Sequence, residues 1–231
     1  MNVDPRLTLL GGVFGVTIVV FAIAYITAAI LLYTVFPIKP VSLFSIGFTW
    51  FIIPAVNTGY GFGYQYLSEL GIGPSATVYN YGVIITGLLS VCVFPILYKH
   101  FESSVITRIA TVSGVVGCLA LSGLGVYPMY IWPVHFTCAL SFFAFVGLAI
   151  LLFSYAMRSS GFFPRALSWL GVAVVIGDII GESIAVLADS PLGEYSAPFL
   201  FMVWLFALGI TLLAQTEGSI GLNAPFGASG R

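Results

Sequence analysis

The sequence contains very few charged residues. Only 6% of its 231 residues are charged, seven of them basic and eight acidic. A soluble domain carries charge on about a quarter of its residues to keep its surface in water, so this composition excludes a soluble globular protein. The basic residues never form a cluster, which excludes a nucleic-acid partner and a polybasic patch for anionic lipid headgroups.

Motifs that signal catalysis or metal binding are missing as well. Histidine occurs only twice, as His100 and His135, and the chain has no HExxH, GxSxG or His-x₃-His pattern. These absences leave no signature of a zinc protease, of a serine hydrolase with a nucleophile elbow or of a His-rich membrane hydrolase. His100 lies in a short turn between two apolar stretches and is expected at the surface.

Long apolar stretches are what the chain has instead. Of its residues 60% are hydrophobic, and a helix crosses the hydrocarbon core of a bilayer with about 20 apolar residues. Six stretches meet this requirement: Leu7–Phe36, Val78–Tyr98, Val105–Val126, Trp132–Met157, Ala166–Ala188 and Pro198–Gln215. The sequence therefore predicts an all-α, polytopic membrane helix bundle with six transmembrane helices.

A seventh apolar segment, Val41–Val56, is shorter than these spans and has prolines near both of its ends. Apolar runs of this length are more often re-entrant or interfacial than membrane-spanning. We therefore predict one short re-entrant or interfacial helix at residues 41–56, with a seventh span as the alternative.

The segment that follows, Thr58–Ser75, alternates glycines with aromatic residues and reads TGYGFGYQYLSELGIGPS. Glycine allows the backbone to turn where a side chain would clash, and tyrosine is favoured at the membrane–water interface. We interpret the segment as an interfacial lid, and we expect Asn80 of the next helix to hydrogen-bond its carbonyl groups. The alternative is an aromatic interfacial loop without a ligand.

The basic residues predict the orientation of the bundle. Five of them fall in alternate connections or at the C-terminus, so the positive-inside rule assigns them to the cytoplasm: Lys99, Arg108, Arg158, Arg165 and Arg231. The protein is then a multi-pass protein of the cell membrane with a cytoplasmic C-terminus. Residues 1–215 form one transmembrane domain, and residues 216–231, rich in glycine and serine, are expected to form a disordered cytoplasmic tail.

Two acidic residues inside a predicted span are the first candidates for a binding site. Asp178 and Glu182 lie four residues apart, which places both carboxyls on one face of the fifth predicted helix. Ionisable groups inside a membrane span are functional candidates by default, and this pair is predicted to bind a proton, another cation or a metal ion. The alternative is a structural pair that is protonated or hydrogen-bonded to neighbouring helices.

Four further polar residues are expected near the outer ends of the helices: Ser68, Glu69, Asn80 and His135. His135 begins the fourth predicted span at about the depth of Glu182, and the lid brings Glu69 to the same end. If these nitrogen and oxygen groups converge, they suit zinc or another divalent ion. A hydrogen-bonded structural histidine is the alternative, and a Ser68 nucleophile beside His135 stays open.

A series of short motifs resembles a known family. The motifs are Tyr66-Leu67-Ser68-Glu69-Leu70-Gly71 in the loop, Asn80 and Gly87 in the second span, Gly125-Val126-Tyr127-Pro128, and then His135. In this order they resemble a prokaryotic six-span membrane family of unknown function, which is distantly similar to the DRAM-like and post-GPI-attachment membrane proteins. The resemblance implies a six-helix bundle with an outer polar cluster of Ser68, Glu69, Asn80 and His135 and a function tied to lipid handling. The segment at residues 41–56 departs from the pattern of that family.

These features are compatible with three functions. The first is a non-enzymatic membrane protein that binds lipid or a small amphiphile in an outer polar pocket, or that acts as a helical subunit of a membrane complex. The second is a membrane-embedded, metal- or serine-assisted lipid hydrolase or acyl-transfer enzyme, and the third is a proton-coupled transporter. The predicted ligand-binding residues are Ser68, Glu69, Asn80, His135, Asp178 and Glu182, and the predicted partners are membrane lipid and other membrane subunits.

Overall fold

The computed structural model describes residues 4–35, 65–101, 103–188 and 190–222. Within these ranges the chain forms helices and no strand, which confirms the predicted all-α fold. The elements are α1 (Pro5–Val35), a short 3₁₀ helix (Leu67–Gly71), α2 (Ala76–Val91), α3 (Val93–Tyr98), α4 (Val105–Val126), α5 (Trp132–Ser160), α6 (Arg165–Leu187) and α7 (Pro191–Leu222).

In the described part of the chain, six helical stretches are long and apolar enough to cross a membrane. They are α1, α2 continued by α3, α4, α5, α6 and α7, so each of the six predicted spans has a helix. The predicted short helix at residues 41–56 lies outside the described residues. Which end of the bundle faces the cytoplasm stays a prediction.

The second span is interrupted at Cys92, between α2 and α3. Pro95 follows shortly after, and a proline inside a helix has no N–H to donate and crowds the carbonyl group four residues before it, here that of Val91. The interruption positions Phe94 at the centre of the bundle, where it is fully buried. Its ring stacks on those of Phe153 and Trp204, with centroid distances of 6.2 and 6.4 Å.

The six spans pack as a closed ring. Going round it, α1 contacts α2, α2 contacts α4, and the order continues through α5, α6 and α7 back to α1. Glycines allow the closest approach between α1 and α7, since a Cβ atom on Gly15 would lie 2.9 Å from the Cα atom of Gly209. We call this contact the α1–α7 seam.

Helix α7 begins at Pro191, earlier than its predicted start at Pro198. Proline is favoured in the first turn of a helix, so either Pro191 or Pro198 could begin the last helix. In the structure the helix begins at Pro191. Pro198 therefore lies inside α7, and the residues that separate the two prolines are helical rather than part of a loop. At its other end α7 continues to Leu222, so the first residues of the predicted disordered tail are helical, while residues 223–231 lie outside the described ranges.

The expectation that His100 lies at the surface is wrong, because the side chain is completely buried. Its Nδ1 atom lies 3.1 Å from the carbonyl oxygen of Ile96, and its Nε2 atom lies 3.1 Å from the hydroxyl of Thr8. A carbonyl oxygen only accepts, so Nδ1 carries the hydrogen and Nε2 accepts from Thr8. The rings of Phe162 and Phe163 pack against the imidazole, and this burial lowers the pKa of His100. We call this part of the bundle the His100 end.

Candidate functional site

The short 3₁₀ helix lies at the other end of the bundle, which we call the Glu69 end. Glu69 is only 3% exposed, and each of its carboxyl oxygens has a donor. Oε1 accepts from the backbone N–H of Tyr66 at 3.0 Å, and Oε2 accepts from the side-chain amide of Gln65 at 3.2 Å. Burial raises the pKa of Glu69, and the two hydrogen bonds oppose that effect.

Tyrosines from two membrane helices hold the Glu69 end in place. The hydroxyl of Tyr195, on α7, donates to the backbone oxygen of Gln65 at 2.9 Å. The amide of Gln65 also donates to the hydroxyl of Tyr33, on α1, at 3.4 Å. The segment that carries Glu69 is therefore attached to both sides of the α1–α7 seam.

Ser68 and Asn80 make structural hydrogen bonds at the same end. The hydroxyl of Ser68 donates to the sulfur of Met129 at 3.4 Å, so it is directed toward the connection between α4 and α5. The side-chain amide of Asn80 donates to the carbonyl oxygen of Gly71 at 3.0 Å, which is the kind of contact predicted for it. A Cβ atom on Gly71 would overlap the amide oxygen of Asn80, so glycine is needed for this close approach.

His135 is buried and bonded to the end of the preceding helix. Its Nδ1 atom lies 2.7 Å from the carbonyl oxygen of Tyr127, the residue that follows the last turn of α4. The carbonyl groups of a final helical turn lack donors within the helix, and His135 supplies one of them. This geometry fits the structural alternative for His135.

The predicted meeting of His135, Glu69 and Glu182 around a metal ion is not seen. Among the described residues, no three His, Cys, Asp or Glu side chains are grouped in a way that could hold a metal ion. The physical reason is that His135 is directed to the backbone of Tyr127, while both oxygens of Glu69 are occupied by donors from its own segment.

Asp178 and Glu182 occupy successive turns on the same face of α6, as predicted. Both side chains are partly buried. One oxygen of each is fully enclosed and has no hydrogen-bond partner among the residues that the structure describes, namely Oδ1 of Asp178 and Oε1 of Glu182. Asp178 borders a small cleft of about 20 Å³ between α5, α6 and α7.

Glu194, on the first turn of α7, is a third acidic residue in this region. Its Oε1 atom accepts from the backbone N–H of Ser68 at 3.2 Å. Its Oε2 atom is enclosed and has no partner within the described ranges. Glu194 is brought close to Glu182 because α6 and α7 cross tightly, with the backbones of Gly181 and Gly193 facing one another.

Together these residues form what we call the carboxyl row, which consists of Asp178, Glu182, Glu194 and Glu69. Glu182 is close enough to interact electrostatically with both Asp178 and Glu194. Glu194 in turn interacts electrostatically with Glu69. The row thus leads from the Glu69 end into the part of the bundle where α5, α6 and α7 meet.

The chemistry of the carboxyl row favours binding of a small cation. An ionised carboxylate buried without donors is costly, and neighbouring like charges add to that cost. Binding a proton or another small cation removes both costs. Hydrogen bonds offset part of this cost for Glu69 and Glu194, whereas the enclosed oxygens of Asp178 and Glu182 have no donor among the described residues.

The sequence analysis found three members of the row and missed Glu194. It left this residue outside the predicted spans, because the last of them was predicted to start at Pro198. The available signal was the acidic residue a few positions after Pro191, since proline and then an acidic residue are typical of the first helical turn.

Comparison with known protein families finds a match. A model of a family described as "Protein of unknown function (DUF998)" matches residues 40–213. The chain belongs to the DUF998 family. The DUF998 region contains the whole carboxyl row together with Ser68, Asn80 and His135, whereas α1 precedes it.

No curated protein and no solved structure matches the chain. The resemblance to a membrane family of unknown function is therefore confirmed as membership of an uncharacterised family, and the similarity to DRAM-like proteins stays a prediction.

Proposed function

We propose that this DUF998 protein is an ion-coupled membrane transporter whose coupling cation binds along the carboxyl row. The proposal corresponds to the third function predicted from the sequence and adds Glu194 to its site. The observation that carries it is the set of three enclosed carboxyl oxygens without partners, on Asp178, Glu182 and Glu194.

Several uncharged side chains also have enclosed polar atoms without partners among the described residues, for example Ser90 and Ser154. A hydroxyl in that situation costs about 1–3 kcal/mol, whereas an isolated charge in an apolar setting costs far more. The carboxyls therefore require a bound cation in a way that the hydroxyls do not. Their succession from the Glu69 end inward is the arrangement expected of a site that a cation reaches from one side.

Lipid binding and hydrolysis have less support. A cleft of about 20 Å³ has room for about one water molecule and none for an acyl chain, so lipid binding stays a prediction. For a serine-assisted reaction, the Ser68 hydroxyl would need to donate to a base such as His135, but it donates to the Met129 sulfur instead. The membrane-lipid and membrane-subunit partners predicted from the sequence are likewise untested.

Cation binding can be tested by the thermal stability of the purified protein in detergent. A ligand that binds the folded state raises the melting temperature, and saturation of such a site corresponds to roughly 5–10 °C for a chain of this size. We expect wild type to respond in this way to at least one of pH, NaCl, KCl and CaCl₂, measured at constant ionic strength. We expect the Glu182→Gln variant to lose most of that response while remaining folded.

The matched control is Asp4→Asn, which neutralises an exposed carboxylate outside the row. This variant should respond as wild type does. If Glu182→Gln and wild type respond identically to pH and to every salt, the carboxyl row does not bind a cation and the proposal is wrong.

A further inference from the structure

The cleft beside Asp178 determines which cation can bind there. It is lined by apolar side chains from three helices, including Phe142 and Val146 of α5, Val174 of α6 and Phe201 of α7. Asp178 contributes the only carboxyl of this lining. The cleft therefore offers a single ionisable ligand in surroundings that are otherwise hydrocarbon.

The packing around Asp178 leaves little space for further ligands. Gly147 of α5 borders the carboxyl, since a Cβ atom added there would lie in van der Waals contact with Oδ2 of Asp178, at 3.9 Å. The volume of about 20 Å³ is sufficient for about one water molecule. An ion that keeps a shell of several waters does not fit.

Metal cations need more ligands than this cleft supplies. Calcium takes about six to eight oxygen ligands, magnesium requires a complete octahedron, and zinc takes about four nitrogen, sulfur or oxygen ligands. No grouping of three metal-binding side chains occurs within the described ranges, and the lining of the cleft provides one carboxyl among otherwise apolar residues. A proton needs only one carboxylate oxygen.

The titratable groups around Asp178 are few. Glu182 lies one turn along α6, and Glu194 on α7 lies beyond Glu182. From α5 the lining residues are all apolar: Phe142, Phe143, Val146, Gly147 and Ile150. No basic side chain lines the cleft, so none is available there to neutralise an ionised Asp178.

We infer that the cation bound at Asp178 is a proton, held on the carboxyl with room for one hydrogen-bonded water, and that metal ions are excluded. The inference rests on the proposed function and names its coupling ion. In the step, a proton arriving from Glu182 adds to a carboxylate oxygen of Asp178, which gives a neutral carboxylic acid and leaves Glu182 as the anion. The new O–H group then has space for one water as its acceptor.

Infrared difference spectroscopy of the purified protein tests this assignment. A protonated carboxyl has a C=O stretching band that a carboxylate lacks, and the difference between wild type and Asp178→Asn isolates the contribution of Asp178. We expect that band to grow as the pH is lowered below neutrality, to shift in D₂O, and not to change on adding NaCl, CaCl₂ or ZnCl₂. Absence of the band at acidic pH, or its loss on adding any of the salts, would overturn the inference.

A second variant keeps the test decisive if Asp178→Asn does not fold. Ala197→Ser adds one hydroxyl to the lining of the cleft, so it should shift the Asp178 band by hydrogen bonding and leave its intensity unchanged. Asp4→Asn is the control and should leave the band where it is. An Ala197→Ser spectrum identical to that of wild type would place the protonated group elsewhere and contradict the inference.

The inference and the proposed function fail in different ways. If a salt stabilises wild type but not Glu182→Gln, and Asp178 shows no carboxylic acid band, the row binds a metal cation and only the proton assignment is wrong. If the Asp178 band is present but Glu182→Gln responds to every condition as wild type does, Asp178 is a protonated structural residue and the transporter proposal is wrong.

Discussion

The two ends of the bundle bury polar side chains in different ways. At the His100 end, both imidazole nitrogens have partners, Thr8 and Ile96, and two phenylalanine rings enclose them. At the Glu69 end, Glu69 is similarly satisfied, but Glu194 beside it has one bonded and one unbonded oxygen. His100, with both nitrogens hydrogen-bonded, stabilises the fold, whereas Glu194 has a carboxyl oxygen left to bind a ligand.

Each of the two ends is therefore expected to respond differently to mutation and to pH. A satisfied buried group is costly to remove, because its partners are left without a hydrogen bond. An unsatisfied carboxyl is expected to be dispensable for folding and necessary for cation binding. The following experiments test that distinction, from the largest effect to the smallest.

Replacing His100 by alanine is expected to have the largest effect on stability. The change leaves the Thr8 hydroxyl and the Ile96 carbonyl without this partner and creates a cavity under Phe162. We expect a loss of about 3–4 kcal/mol in the free energy of unfolding in detergent. Lys99→Ala, at the exposed neighbouring position, is the control. A loss below about 1 kcal/mol for His100→Ala would show that these hydrogen bonds do not hold the end together.

Removing the Glu69 side chain should cost about 2 kcal/mol. Glu69→Ala leaves the Tyr66 N–H without its acceptor and deprives the Gln65 amide of one of its bonds. Glu69→Gln keeps one carbonyl oxygen as an acceptor and should lose less than half as much, measured by the same unfolding experiment. Equal losses for the two variants would mean that the charge of Glu69, rather than its hydrogen bonds, stabilises this end.

The two ends should depend on pH in opposite directions. Burial lowers the pKa of His100, so the unfolded chain binds more protons once the pH falls below about 6.5, and stability contributed by His100 is lost as the pH decreases further. Burial raises the pKa of Glu69 from its model-peptide value of 4.5, so the folded chain binds more protons just above that value, and stability falls as the pH rises through the raised pKa.

Each of these slopes can reach about 1.4 kcal/mol per pH unit. Unfolding free energies measured as a function of pH should lose the slope near neutrality in His100→Gln and the more acidic slope in Glu69→Gln. The assignment would be wrong if His100→Gln kept the wild-type profile between neutral pH and about pH 5.

Ser68→Ala should have the smallest effect. The hydroxyl donates to the Met129 sulfur at 3.4 Å, a weak acceptor, and lies close to the carboxyl of Glu194, so we expect a change of about 1 kcal/mol or less. The backbone N–H of Ser68, which is bonded to Glu194, remains in the variant. If Ser68→Ala abolished cation-dependent stabilisation and left folding intact, the hydroxyl itself would belong to the binding site.

The six spans could be predicted from the sequence because each is a long apolar stretch, and hydropathy is a local property. The stacking of Asp178 on Glu182 was equally predictable, since four residues make about one helical turn. The position of Glu194 was not, because it depends on the crossing of α6 and α7 at Gly181 and Gly193. Such a crossing is a tertiary contact that no local pattern specifies.

The burial of His100 likewise depends on tertiary contacts that the local sequence does not specify. Polar residues in a short connection between apolar stretches are usually exposed, and the local sequence of His100 indicates nothing else. Its burial comes from Phe162 and Phe163 in a distant connection and from Thr8 near the start of the chain. His135 was placed at the correct end of its helix, but its partner was the backbone of Tyr127 rather than a carboxyl.

The closed order of the ring has a mechanical consequence at the α1–α7 seam. From α2 to α7, each pair of adjacent spans is joined by a short connection, such as residues 161–164 between α5 and α6, which limits how far the two spans can separate. The first and last spans have no such tether, and only packing and hydrogen bonds keep them together. The bundle can therefore part toward the surrounding lipid at this position without stretching any loop.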